Sequence, residues 1–415
     1  MVDMSSLAIS GGMPVRREPF PSWPVTGTAD REKLLEVFDS GKWWYGEKVR
    51  EFEERYAAFH DAKHGITCAN GTVALEVALL ACGIGAGDEV IVPPYTFMAT
   101  ASAVLKINAI PVFADIELDT CNLDPEDVER KINSKTKAVI PVHIAGLPVD
   151  MDAFRALAQK HKLALIEDAC HSWGSKWRGK GTGAIGDCGV FSFQMSKNIT
   201  SGEGGILLTD KEEIADTARS YTNCGRIKGG AWYEHYLMGS NLRMTELQAA
   251  ILLGQLERLE EQTLKREKNA AYLDEQLKNM PGISLMKKDA RVTRRSYHMY
   301  IFRFLPEEWL GVSRDKFLEA LRAEGIPSSA GYNIPLYKNP LFQQQGEGPR
   351  YCPISCPYHG QGMDYTQVVC PNAELISREG CWIPHTALLA EEQDMKDIAC
   401  AIRKIWEGRR ELAGI

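Results

Sequence analysis

The stretch 163-LALIEDACHSWGSKWRGKGTGAIGDCGVFSFQMSKNITSGEGG-205 decides how the chain is read. Its apolar opening, Leu163 to Ile166, predicts a short buried strand. That strand carries Glu167, Asp168 and His171 to its carboxyl end, where open α/β sheets place their ligands. A second apolar run, Val190 to Phe193, leads at once into Lys197 and the glycines Gly202, Gly204 and Gly205.

A carboxylate and a lysine, each just past a buried strand, suit pyridoxal phosphate (PLP). The lysine amine links to the cofactor's aldehyde as a Schiff base. The carboxylate keeps the pyridine nitrogen protonated, so that the ring accepts electrons when a substrate loses its α-proton. The alternative is a solvated loop bearing an ordinary surface lysine. The glycines count against it, because they let backbone approach a flat ligand closely.

EDACHS (167–172) followed by FSFQMSKNITSGEGG (191–205) resembles the DegT/StrS family of PLP aminotransferases, which act on keto sugars and keto cyclitols. The resemblance implies an α/β chain of aminotransferase fold type I. Such a fold has a mostly parallel seven-stranded sheet and a smaller α/β C-terminal domain. It also implies that Lys197 carries the cofactor, Asp168 pairs with the pyridine nitrogen, His171 sits beside the ring and Ser192 binds the phosphate. Catalysis then falls to Lys197, Asp168 and His171. Some relatives are dehydratases with histidine in place of the lysine, a chemistry that Lys197 argues against.

Working outward, the spacing of Ala74, Val77, Ala78 and Ala81 makes Gly71-Thr72 the start of a helix. Helix N-termini bind anions through free N–H groups and the dipole, although most such starts are merely caps. In the family pattern Gly71 and Thr72 are phosphate ligands, and Phe97 in YTFMAT is the aromatic that stacks on the ring. The runs Val90 to Val92, Pro111 to Phe113 and Ala138 to Val142 read as buried strands, with helices between them. That alternation indicates a mostly parallel sheet covered on both faces. Thr245 and Gln248 form a capping box that opens a long helix through Leu259. The preceding GSNLRM resembles the family pattern in which the asparagine, here Asn241, reaches the neighbouring subunit's cofactor phosphate. A homodimer with shared active sites is thereby implied.

The 415 residues suggest two domains. We expect an extended arm over 1–30, a large cofactor-binding domain over 31–264 and a small domain over 265–415. A half-exposed strand, SYHMYIFRF, is expected in the last of these. The net charge of −7 offers no basic surface for nucleic acid or an acidic membrane. Eleven scattered cysteines and an N-terminus without a secretory pattern fit reduced thiols in a cytoplasm. No apolar run approaches the ~18 residues of a membrane span.

Two motifs mislead. Gly174 to Lys180 nearly spells a P-loop, but Gly181 stands where Ser or Thr should hold magnesium. Cys352, Cys356 and His359, with Cys370 or Cys381, suggest a metal site, yet zinc usually shows paired C-x₂₋₄-C elements and no metal is expected.

The acceptor is read from Gln194, the arm and CWIPHTALLA, which resemble members acting on inososes or making aminohydroxybenzoate. The expected reaction moves an amino group from L-glutamine or L-glutamate to a scyllo-inosose-like keto cyclitol or a keto sugar. A nucleotide-linked keto sugar is the alternative acceptor, and a PLP-binding regulator without turnover is the alternative class. Trp44, Tyr45, Gln194, His298, Tyr332, Tyr337 and His385 fall in segments that border the substrate in relatives.

Overall fold

The computed structural model describes residues 6–343 and 363–414. Nine strands precede residue 210: β1 (His64–Cys68), β2 (Glu89–Val92), β3 (Ile110–Phe113), β4 (Thr136–Val139), β5 (Ala164–Asp168), β6 (Lys176–Trp177), β7 (Lys180–Gly181), β8 (Cys188–Ser192) and β9 (Gly205–Thr209). Seven of them form one sheet in the order β1-β9-β8-β5-β4-β2-β3. The neighbours from β8 through β3 pair in parallel, whereas β9 runs antiparallel to both β8 and β1. Every residue of β2, β8 and β9 is buried, which explains their continuous apolar runs.

Register brings distant segments to one end of this sheet. Asp168 pairs with Val190, and Ser192 pairs with Gly205. Gly205 also pairs with Cys68 on its other side, so the helix Gly71–Ala81 begins beside the end of β8. Strand β4 stops at Val139, short of the expected Val142, because Pro141 has no N–H for a ladder. Val142 keeps only an isolated bridge to Asp168.

A second three-stranded sheet is built from β10 (Ile283–Leu285), β12 (Met299–Phe304) and β13 (Gly380–Pro384), while β11 (Val292–Arg294) joins β6 and β7 in a small sheet of its own. The expected half-exposed strand is β12, and it is buried instead. As the central strand it sends Ile301 into the main core and Tyr300, Phe302 and Phe304 into the C-terminal core. The P-loop-like segment forms the β6–β7 hairpin. Cys352, Cys356 and His359 lie outside the described residues, while Cys370 and Cys381 are buried free thiols.

The helix Glu246–Leu277 starts at the expected capping box, with Thr245 Oγ1 accepting from Gln248 N. Its 32 residues span about 48 Å. Leu252, Leu253 and Leu256 pack against the large sheet's helices, and Ala270, Leu273 and Leu277 pack in the C-terminal core. It passes without a break through residues 264–265. The arm is tied down at its start: Leu7 is buried in the C-terminal core, and Glu324 accepts from the amides of Ala8 and Val15.

Candidate active site

At the carboxyl ends of β5 and β8 lies a cavity of about 740 Å³. It collects Gly71, Thr72, Phe97, Asp168, His171, Ser192, Gln194, Lys197, His298 and Tyr332 from the expected set. Asn70 caps the helix Gly71–Ala81 by accepting from Val73 N at 3.0 Å, and the first-turn amides of such a helix have no partner within it. A Cβ on Gly71 would stand 2.7 Å from Ser192 Cβ, and one on Gly205 2.5 Å from the Asn70 carbonyl. Both glycines are therefore required by close approach of backbone.

Asp168 is buried and its carboxylate is held on both oxygens. Thr100 Oγ1 donates to Oδ2 at 2.7 Å, and Cys170 N donates to Oδ1 at 3.2 Å. Thr96 Oγ1 in turn lies 3.2 Å from Thr100 Oγ1 and donates to it, since the Thr100 proton is committed to Asp168. Lys197 is half-buried in the cavity wall, its Nζ 5.6 Å from the centre of the Trp173 ring. Burial lowers the Lys197 pKa, and the nearby Cys170 and Asp168 oppose that shift.

His171 and His298 stand side by side, their rings tilted 40° apart with centres 4.6 Å from each other. Burial and the Lys197 charge push His171 well below the usual histidine range, and burial with the neighbouring His171 does the same to His298. Both are neutral at pH 7, and their partners set the tautomers. His171 Nδ1 accepts from Ala145 N at 3.4 Å, so Nε2 carries its proton. Asn198 donates through Nδ2 to Ser296 O at 3.0 Å and so presents its oxygen to His298 Nδ1 at 3.1 Å. His298 Nε2 thus carries no proton and is able to accept.

Five expected residues do not line this cavity. Tyr337 is buried in the main core, donating to Glu374 at 2.7 Å, because Phe113 and Phe342 pack the same corner. His385 stacks behind His298 at 5.7 Å and is bonded to Arg266 and Ser196. Trp44 and Tyr45 line a separate cleft of about 690 Å³ with Arg219 and Arg243. There Arg243 covers Trp44 at 5.2 Å and Tyr45 donates to Glu53 at 2.9 Å. Asn241 is exposed, bridged to Asn223 close to that cleft. Gln194 does line the cavity, but its Oε1 already accepts from Ser196 N and Oγ at 2.8 Å each.

Sequence reasoning missed Thr96, Thr100 and Asn198. The i,i+4 spacing of Thr96 and Thr100 just past β2 was the available signal. Nothing local marks Asn198, whose partners are about a hundred residues away.

The profile of the DegT/DnrJ/EryC1/StrS aminotransferase family matches residues 24–403. The chain belongs to that family. It is an aminotransferase, built on the α/β fold expected of the family. Among its relatives, the L-glutamine:2-deoxy-scyllo-inosose aminotransferase of Micromonospora echinospora is 38% identical over 432 residues, covering 99% of this chain and 100% of the relative. A crystal structure of 3-amino-5-hydroxybenzoic acid synthase superposes with a TM-score of 0.83 at 34% identity, covering 93% of this chain and 98% of that one. A structure of DesI with its TDP-sugar product gives 0.82 at 30% identity, covering 99% of both chains. Cyclitol-type and nucleotide-sugar members of the DegT/DnrJ/EryC1/StrS family thus both resemble it closely.

Proposed function

We propose that this aminotransferase binds PLP in the 740 Å³ cavity and transfers an amino group from L-glutamine or L-glutamate to a keto cyclitol of the scyllo-inosose kind. The observation that carries the reading is one cavity lined by a desolvated lysine, a doubly held carboxylate and a glycine-started helix N-terminus. The residues fit the cofactor. Gly71, Thr72 and Ser192 form a small, anion-seeking corner in which a Cβ has no room. Asp168, fixed by Thr100 and Cys170, would hold the pyridine nitrogen, Phe97 would cover the ring, and Lys197 would carry the aldehyde.

The bound cofactor supplies an electron sink for the substrate's Cα. The chain's own part is proton handling and orientation. Lys197, with its pKa lowered by burial, would carry a proton from the donor's Cα to the cofactor's former aldehyde carbon, and in the reverse half-reaction from that carbon to the acceptor's carbon. His171 offers a donor at Nε2 and His298 an acceptor at Nε2, a pair suited to a ring hydroxyl.

The reading includes a homodimer. The loop around Asn241 exposes Trp232, Tyr233 and Met238 (76%, 78% and 97% accessible), a patch expected to be covered by a second copy. It also divides the chain into arm 1–30, large domain 31–264 and small domain 265–415, sharing the helix Glu246–Leu277. The reading sets the enzyme in a cytoplasm, where the free cysteines among the described residues would stay reduced. Among the described residues no helix is long and apolar enough to cross a membrane.

The test is the absorption spectrum of the PLP-loaded protein before and after L-glutamine or L-glutamate. Conversion to the amino form of the cofactor by either acid supports transfer, and recovery by a keto cyclitol identifies the acceptor. Recovery only by a nucleotide-linked keto sugar selects the alternative substrate. A bound-cofactor spectrum that no amino acid changes favours a regulator without turnover.

A further inference from the structure

The turn that presents Lys197 is fastened from two remote parts of the chain. Within the turn, Lys197 N donates to Gln194 O at 2.9 Å, closing it on the cavity side. The two carbonyls before Lys197 are held from elsewhere. Trp23, in the N-terminal arm, donates from Nε1 to Met195 O at 2.9 Å. His385, just past β13, donates from Nε2 to Ser196 O at 3.1 Å. The two clamping rings also touch each other, edge to face at 4.6 Å between centres.

His385 can donate there only as the Nε2–H tautomer, and Arg266 enforces that form. Arg266 Nη2 donates to His385 Nδ1 at 3.2 Å, leaving that nitrogen no proton. The guanidinium is fully buried, and its Nε and Nη1 have no partners among the described residues. Keeping such a group inside is costly. Its one hydrogen bond among the described residues goes to His385, and it faces the Trp23 ring at 5.9 Å. A buried cation without full compensation is thus invested in one histidine's orientation.

The geometry points to Trp23 and His385 as positioning residues for Lys197, gripping its turn by the carbonyls of Met195 and Ser196. Neither lines the cavity, so both act through the lysine's backbone. The arm and the segment after β13 are then parts of the catalytic apparatus. A loosened turn lets the amine wander from its productive position, and small misplacements of a catalytic group cost rate. The effect on turnover rests on the aminotransferase reading above; the effect on the turn does not.

The test uses full-length Trp23→Phe, His385→Ala and His385→Gln. Trp23→Phe keeps an aromatic ring and removes only the indole N–H. His385→Gln keeps a donor near the position of Nε2. Amide hydrogen exchange is measured on cofactor-free protein, comparing the peptide 193–200 with peptides from the helix Met151–His161. Loss of one hydrogen bond predicts about two- to tenfold faster exchange at the Lys197 amide in Trp23→Phe and His385→Ala, with the helix unchanged. His385→Gln restores most of the protection. In the loaded enzyme, kcat falls by a similar factor while the donor KM stays within twofold. Unchanged exchange at 193–200 in both Trp23→Phe and His385→Ala overturns the proposal, as does His385→Gln behaving like His385→Ala. If the wild type takes up no PLP, the functional reading fails, and the exchange experiment still decides the clamp.

Discussion

Replacing Gly71 with alanine tests the phosphate corner at its tightest point. The added Cβ would sit 2.7 Å from Ser192 Cβ and 3.3 Å from Cys170 Sγ. Carbon atoms pack at about 3.5–4.0 Å, so the helix start and the end of β8 must separate by roughly 1 Å. Ser192 Cβ is bonded directly to its backbone and cannot swing aside. Hydrogen bonds from this corner, near 2.9 Å when made, would stretch past the ~3.5 Å at which they cease to count. Losing one bond to a charged phosphate costs about 1.5–3 kcal/mol, or about 10- to 150-fold in affinity. Alanine also gains up to ~1 kcal/mol of helix propensity, which masks the strain in a thermal melt. The informative assay therefore titrates cofactor-free Gly71→Ala with PLP and, separately, with pyridoxal. PLP affinity should fall within the stated range, and pyridoxal affinity should stay within threefold. Wild-type affinity for PLP would refute the reasoning. Equal loss for both ligands would refute it too, since the damage would then lie outside the phosphate corner.

Three further outcomes are expected. Thr100→Val deletes the 2.7 Å donor to Asp168 while keeping the side chain's shape, and should lower stability by about 1.5–3 kcal/mol in urea unfolding; a change below 0.5 would argue against the bond. Burial lowers the His60 pKa from 6.5 to about 4, with Nδ1 bonded to Thr182 O and Nε2 accepting from Gly174 N. The folded state then binds fewer protons than the unfolded one, so stability is full above pH ~6.5 and drains by about 3 kcal/mol as pH falls toward 4. His60→Phe, though weaker at pH 7, should show a flatter pH–stability profile over that window; an unaltered slope would assign the effect to other groups. Glu246 accepts from the amides of Gly46, Lys48 and Val49 at 2.8–3.0 Å, fixing the start of the helix Glu47–Phe59. Glu246→Ala leaves these donors bare and should cost at least ~2 kcal/mol, with increased fluorescence change at Trp43 and Trp44 on quencher addition.

What could be read from the sequence is what short-range pattern encodes. Strands ending in Asp168 and Ser192, the glycines after Lys197 and the Gly71-Thr72 helix start all announce themselves within about ten residues. The direction of β9 does not, since an apolar run of five residues has no arrow; only the pairing of Gly205 with both Ser192 and Cys68 shows the reversal. Tyr337 and His298 look alike as isolated aromatics before small-domain elements. One is claimed by the core through Phe113 and the other is turned to the cavity by Asn198. Trp44 and Tyr45 precede a helix as an exposed-looking loop, and their capture by Arg243 and Glu53 rests on partners with no nearby signal. Long-range partnership, not local propensity, separates these cases.

The helix Glu246–Leu277 serves two cores with one unbroken rod. A chain severed near residue 264 would leave each half holding a stump whose apolar face matches a core on the other fragment. Neither half would be a finished object. Expressed together, the fragments should find each other and rebuild the enzyme; expressed alone, each should aggregate through its exposed stump. The two regions of this protein are therefore distinguishable by eye yet inseparable as folding units, much as two rooms share a load-carrying beam.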